Sequence, residues 1–168
     1  MITLVTGGIK SGKSSFALKY VLNKSYKKRA FVATGVPFDN EMSERIQKHK
    51  IERAYMFDTF EEPLNVPKLI EAIDGRYHVI LFECLTTYLG NLYYYNVDVE
   101  KYISEFTKVV SNMNSDIVVV TNEVGWSIIP ENELARKYTE ILGKTNSKLA
   151  SIAHEVYVVI CGIEMKIK

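Results

Sequence analysis

The stretch LVTGGIKSGKSSFALKY, residues 4–20, constrains this chain more than any other. Gly7 to Ser14 fit the spacing G-x-x-x-x-G-K-[ST], with a strand-like apolar run before it and helical spacing after it. Glycines let the backbone curl so that successive N–H groups face a phosphate, and the following helix N-terminus adds its positive dipole end. Gly7, Gly8, Ile9, Lys10, Ser11, Gly12, Lys13 and Ser14 are therefore the candidate nucleotide cradle. Lys13 is placed to reach the β- and γ-phosphates, and the Ser14 hydroxyl to take one position on Mg²⁺. A glycine-rich turn with an incidental lysine is the plainer alternative, but every fixed position of the pattern is present. The loop points to nucleotide binding and leaves the reaction open.

Further along, ITLVT (2–6), RAFVAT (29–34), HVILFEC (78–84), DIVVVTN (116–122) and EVYVVICG (155–162) are continuous apolar runs rich in β-branched residues. Such runs suit parallel strands covered on both faces. Between them helical spacing recurs: Ser14–Leu22, Val99–Met113 (Tyr102, Phe106, Val109, Val110, Met113) and Leu134–Ile152 (Leu134, Tyr138, Ile141, Leu142, Thr145, Leu149, Ile152). Pro130 reads as an early-turn residue of the last helix, and the tail EMKIK as an edge strand. The alternation predicts one α/β domain over residues 1–168, doubly wound, with a mostly parallel sheet and flanking helices.

Composition narrows the function. A net charge of +1 offers no basic field for nucleic acid, and no apolar run approaches the ~20 residues of a membrane span. The chain opens directly on a strand pattern rather than an export signal, and Cys84 and Cys161 both lie in apolar segments, which predicts buried thiols in the cytoplasm.

Two further features bear on chemistry. Glu83 closes an apolar strand where a metal-bound triphosphate needs an acid, and is the candidate Mg²⁺ partner; capping the next turn or pairing with a base is the alternative. The stretch FDNEMSERIQKHKIER (38–53) reads as an amphipathic helix opened by Asp39 or Asn40, with Met42, Ile46, His49 and Arg53 on one stripe. His49 is then either a structural residue or a nucleophile, since neutral imidazole can attack an α-phosphate. Lys50 and Arg53 would hold phosphates beside it. His78 and His154 read as structural. Thr121, Asn122 and Glu123 follow a strand at the expected ligand edge. Gly125 and Trp126 suit either an aromatic wall or a loop packed on its own side chains, and Tyr93, Tyr94 and Tyr95 form either an interface patch or a surface cluster.

The blocks TGGIKSGKS, ATG…FDNEMSERIQKHKIER, EEP, ECLTTYLGNL, VTNEVGWSIIPENELARKY and NSKLASIAHEVYVVICGIEMKIK, in that order from residue 3 to the end, resemble the adenosylcobinamide kinase/adenosylcobinamide-phosphate guanylyltransferase family. The resemblance implies a RecA-like P-loop NTPase fold. It implies an enzyme that phosphorylates adenosylcobinamide with ATP or GTP, then transfers GMP from GTP to the new phosphate through a guanylyl-histidine. The family's histidine falls on His49. Some members carry two adjacent histidines here; the first is replaced by Lys48, which faces Glu44, whereas His49 lies on the inward stripe. Thr34, Gly35, Lys50, Ile51, Glu52, Arg53, Glu62 and Glu83 are further nucleotide contacts by resemblance, and the partners it implies are a corrinoid, a nucleotide with Mg²⁺, and other copies in a homo-oligomer, a trimer in the family. Two rivals remain: a monofunctional kinase in which His49 is structural, and a recombinase-like or switch ATPase, which predicts salt-sensitive DNA binding that the near-zero net charge disfavours.

Overall fold

A computed structural model describes residues 1–36, 55–126 and 128–168. Its strands are β1 (Ile2–Gly7), β2 (Arg29–Ala33), β3 (Asp58–Glu61), β4 (Val79–Glu83), β5 (Asp116–Val120), β6 (Glu155–Ile160) and β7 (Ile163–Lys166). Among the described residues the helices are α1 (Lys13–Leu22), α2 (Val66–Ile73), α3 (Leu85–Tyr94), α4 (Val99–Ser111) and α5 (Glu133–Ile152). The strands form one sheet in the order β3-β2-β4-β5-β1-β6-β7. All pairings are parallel except β6 with β7. This is the doubly wound, mostly parallel architecture that the apolar runs predict.

Both faces are covered, which is why the central strands are near-continuously apolar, with Thr3 and Thr6 in β1 and acids only at the ends of β4 and β5. One face packs Val5, Phe31, Leu81, Val118, Val120 and Val159 against Ala17 and Val21 of α1. The other packs Leu4, Val32, Ile80, Phe82, Ile117 and Val119 under α2 to α5, with Phe82, Tyr88 and Phe106 in ring contact. The loss of water from these fully buried side chains is the main stabilising force, about 1.5–3 kcal/mol for each large one.

Strand register aligns the site. Val5 pairs with Val120, Val120 with Glu83, Glu83 with Ala33, and Ala33 with Glu61. The residues just beyond this row share the sheet's carboxyl edge, the place where open α/β sheets hold ligands.

Several expectations are corrected. Cys161 is exposed, not buried, because with φ 52° it and Gly162 at φ 81° make the two-residue turn between β6 and β7. Positive φ at both central residues matches the twist of a tight hairpin. Cys84 is half-buried. Pro130 lies before the helix it was assigned to, since Asn132 caps α5 by accepting from Ala135 N at 3.0 Å. Leu134 is 56% exposed, so the apolar stripe of α5 starts only at Tyr138. In α4 the most buried stripe is Ile103, Phe106, Thr107 and Val110, with Tyr102 and Val109 at its margin.

Candidate active site

Gly7 ends β1, and a Cβ there would lie 2.4 Å from the Val159 carbonyl oxygen and 2.7 Å from Ser11 Oγ. No side chain fits, so the loop turns against β6 only because this position is glycine. Lys10 and Gly12 take positive φ, of 55° and 97°, which curls the segment between them. Ser11 N donates to the Gly8 carbonyl at 3.2 Å, closing the turn. Gly162 N donates to the Ser11 carbonyl at 2.9 Å, so the β6–β7 hairpin clamps the loop from the far side. Helix α1 then begins with no side-chain cap and no acid in its first turn. Its leading amides and positive dipole end are thus kept for an anionic ligand. Lys13 folds back over the loop, 8% exposed, its Nζ donating to the Gly8 carbonyl at 3.1 Å. Ser11 Oγ is buried without a hydrogen-bond partner among the described residues.

At the end of β4, Glu83 is half-exposed and the following peptide to Cys84 is cis. The capping alternative for Glu83 fails: Cys84 caps α3, its Sγ accepting from Thr87 N at 3.3 Å. Burial pushes the Cys84 thiol's pKa up, the Glu83 carboxylate adds to that rise, and the Thr87 hydrogen bonds and the Lys13 ammonium oppose it.

Thr34, fully buried, is tied to the same spot: its hydroxyl donates to the Cys84 carbonyl at 3.1 Å and accepts from Cys84 N at 3.0 Å. Its side chain is thus spent on joining β2 to β4. Asn91, 1% exposed, donates to the carbonyls of Thr34 at 2.7 Å and Pro63 at 3.0 Å. Glu62 Oε1 accepts from Leu64 N at 2.9 Å and Asn65 N at 2.7 Å, which anchors its carboxylate over the start of α2.

Beyond β5, Glu123 N donates to the Gly7 carbonyl at 3.0 Å, so this loop runs alongside the cradle. Thr121 does not face the crevice as expected: its hydroxyl meets Asn146 Oδ1 at 2.9 Å in the interior. Asn146 also donates to the Asn122 carbonyl at 3.0 Å, and Glu123 Oε1 accepts from Gly125 N at 2.9 Å. Trp126, Ile128 and Ile129 are 74%, 91% and 79% exposed, which rules out a loop packed on its own side chains. Val124, Ile128, Ile129, Pro130 and Arg136 line a cavity of about 200 Å³ there. Tyr93 packs on Tyr138, while Tyr94 and Tyr95 are exposed. His78 and His154 are structural: the Nδ1 of each accepts backbone N–H groups, from Lys27 and Lys28 and from Ile2 respectively.

One edge thus gathers the Gly7–Ser14 cradle, Thr34, Gly35, Glu62 and Glu83. His49, Lys50, Ile51, Glu52 and Arg53 lie outside the described residues. Sequence reasoning missed Cys84, Asn91 and Asn146 as the pieces that fix this edge. The signal for Asn91 was present, a lone amide beside Tyr88 and Leu92 on an otherwise apolar helix face.

Residues 3–167 match the family model described as cobinamide kinase / cobinamide phosphate guanyltransferase. The chain belongs to this family. It is 36% identical over 183 residues to the bifunctional adenosylcobalamin biosynthesis protein CobU of Escherichia coli (strain K12), with 100% of both chains covered. It is 30% identical over 173 residues to the bifunctional adenosylcobalamin biosynthesis protein CobP of Pseudomonas aeruginosa, covering 100% of this chain and 98% of that one. Flagellar accessory protein FlaH from Methanocaldococcus jannaschii shares the fold, with a TM-score of 0.51 at 13% identity over 99% of this chain and 77% of its own. That likeness concerns fold alone.

As a member of the cobinamide kinase/guanyltransferase family the chain is a nucleotide-using enzyme. The donors at its edge suit a nucleotide-bound Mg²⁺. That ion takes hard oxygen ligands, one or two from the protein and the rest from phosphates and water. Ser14 at the head of α1 and half-exposed Glu83 supply oxygen of that kind, and no group of three or more candidate metal-binding side chains occurs among the described residues. No helix there is long and apolar enough to cross a membrane.

Proposed function

We propose that one domain carries out both reactions in the family's name: phosphorylation of the aminopropanol hydroxyl of adenosylcobinamide by ATP or GTP, then transfer of GMP from GTP onto that phosphate. What supports the kinase half is that the loop carrying Lys13 and the uncapped head of α1 follow β1, whose Val5 lies in the same strand-end row as Val120 and Glu83. Phosphoryl transfer needs little covalent help from protein and is driven by positioning and charge stabilisation. Lys13 and the loop amides would neutralise the β- and γ-phosphates. Ser14 and Glu83 would hold Mg²⁺, which would supply positive charge against those phosphates.

For guanylyl transfer the reading assigns His49 as nucleophile. A neutral imidazole nitrogen attacks the α-phosphorus of GTP, a nitrogen–phosphorus bond forms, and the bond to pyrophosphate breaks. A phosphate oxygen of the corrinoid then attacks the same phosphorus and releases the imidazole, giving adenosylcobinamide-GDP. The full-length match to the two-activity family supports this assignment. The homo-oligomer and a cytoplasmic location belong to the same proposal; two unpaired cysteines suit a reducing compartment.

The test is incubation with α-labelled GTP and Mg²⁺. An acid-labile, alkali-stable label on wild type that is missing from His49→Ala is the expected result. Label persisting in that variant removes His49 from the mechanism, and robust corrinoid phosphorylation with no adduct leaves a monofunctional kinase.

A further inference from the structure

Strand β5 lies between β1, which feeds the cradle, and β4, which ends in Glu83. A group leaving the carboxyl end of β5 therefore flanks the space between the lysine-bearing loop and the acid proposed for Mg²⁺. That is where the transferred phosphoryl group of a bound triphosphate belongs. Glu123 is the acid there, three residues past Val120, which shares a register row with Val5 and Glu83.

Its backbone is tethered from three strands and helices at once. Thr121 N donates to the Val5 carbonyl at 3.0 Å, and Glu123 N to the Gly7 carbonyl at 3.0 Å. Asn122 N donates to Thr86 Oγ1 at 2.8 Å, and the Asn122 carbonyl accepts from Asn146 of α5 at 3.0 Å. The side chain is aimed as well. Glu123 Oε1 accepts from Gly125 N at 2.9 Å, and a Cβ on residue 125 would crowd that oxygen at 3.1 Å. Among the described residues Oε2 has no hydrogen bond, so the half-buried carboxylate keeps a free acceptor. The other acids of this edge have different work. Glu83 falls to the metal, and Glu62 follows β3, two strands further away, with one oxygen on the Leu64 and Asn65 amides.

Immediately past Glu123 the chain exposes Trp126, Ile128 and Ile129 beside the cavity of about 200 Å³. This apolar shelf suits an acceptor whose body is a bulky macrocycle and whose reacting group is a hydroxyl on a short arm.

We infer that Glu123 is the general base of the kinase step and takes the proton of the acceptor hydroxyl. The inference deepens the kinase reading of this site and rests on it. The hydroxyl oxygen attacks the γ-phosphorus, and a new oxygen–phosphorus bond forms as the bond to the β–γ bridging oxygen breaks. The electron pair of the broken bond stays on the departing nucleoside diphosphate beside Lys13, and the hydroxyl proton passes to the Glu123 carboxylate.

Three assays on the full chain test this: corrinoid phosphorylation from γ-labelled GTP, adduct formation from α-labelled GTP, and GMP transfer onto preformed adenosylcobinamide phosphate. Glu123→Gln keeps an oxygen for Gly125 N but cannot take up the proton. It is expected to lower kcat for phosphorylation about 100-fold or more. Nucleotide KM, adduct formation and GMP transfer should stay within about twofold, because a phosphate dianion has no proton to give up. In Glu123→Ala, formate should restore phosphorylation about tenfold by standing in for the missing carboxylate. Phosphorylation within about threefold of wild type in Glu123→Gln, a loss shared by all three assays, or no response to formate overturns the assignment. Activity regained simply by raising Mg²⁺ puts the carboxylate on the metal and overturns it too. A wild type that forms the GMP adduct but never phosphorylates the corrinoid removes the kinase reading itself, and this inference with it.

Discussion

Gly7 shows how far a single residue can be read in advance. The pattern identifies it as the first glycine of a phosphate loop, but not why the chain needs glycine there. The reason is a contact with Val159, far away in sequence, whose carbonyl oxygen lies 2.4 Å from where a Cβ would be. Gly7→Ala is expected to cost about 1–3 kcal/mol in urea unfolding, the usual range for forced overpacking, and to weaken nucleotide binding because the loop must shift. Wild-type affinity in that variant would show that the cradle is more pliable than this contact implies. Glu62 is the reverse case: resemblance marks it as a nucleotide contact, whereas the fold already occupies one of its oxygens with two backbone amides. Asp74 carries a consequence for pH. Burial raises its pKa, but hydrogen bonds from Ser115 and Asn114 outweigh that and hold the carboxyl below its ordinary value. A depressed folded-state pKa contributes stability above the unfolded value of about 3.9, and that contribution is lost as pH falls through the folded value. Wild type should therefore lose stability below about pH 4, and Asp74→Asn should be weaker at pH 7 with a shallower acid slope, both measured by urea midpoints across pH.

Among the elements, the central strands and three of the helices were legible because each carries a clear period. Strand β3, with sequence DTFE, was not: it is four residues long, sits at the sheet edge and is mostly exposed, so it has neither apolar run nor alternation. Helix α3 was hidden by its composition. Thr86, Thr87, Gly90 and several aromatic residues lower helix propensity, and the burial of Leu85, Tyr88, Leu89 and Leu92 overrides them. Helix α2 hid behind Pro67, which its first turn tolerates. The amide of α3 makes this helix matter for the site. Asn91 holds the carbonyl after β2 and the carbonyl before α2, fixing the spacing of Thr34 and Glu62. Asn91→Ala orphans both carbonyls, at about 1–3 kcal/mol for each one left buried. The expected signs are a lower urea midpoint and a raised nucleotide KM. A change in stability with KM intact would make Asn91 purely structural.

At the scale of the whole molecule, the cradle is held by both ends of the chain: β1 begins at residue 2, and the β6–β7 hairpin near the terminus clamps Ser11 through Gly162. Sequence order hides this closure, because a loop at residues 7–14 and a turn at 161–162 meet only through strand pairing. A nucleotide on the loop therefore bears on α1, β1 and the C-terminal hairpin together, and its binding energy should appear as stability of the entire fold. Ligand that binds only the folded state at a hundred times its Kd adds about 2.7 kcal/mol. In a chain of 168 residues each kcal/mol moves the midpoint by about 2–4 °C. GTP with Mg²⁺ at that excess should thus raise Tm by about 5–10 °C in wild type and leave Lys13→Ala essentially unmoved. Inorganic phosphate should give a smaller rise through the loop alone. A melting curve in which GTP splits the transition, protecting one part while the rest unfolds at its old temperature, would show that the hairpin and the cradle are not mechanically joined as the Gly162–Ser11 hydrogen bond requires.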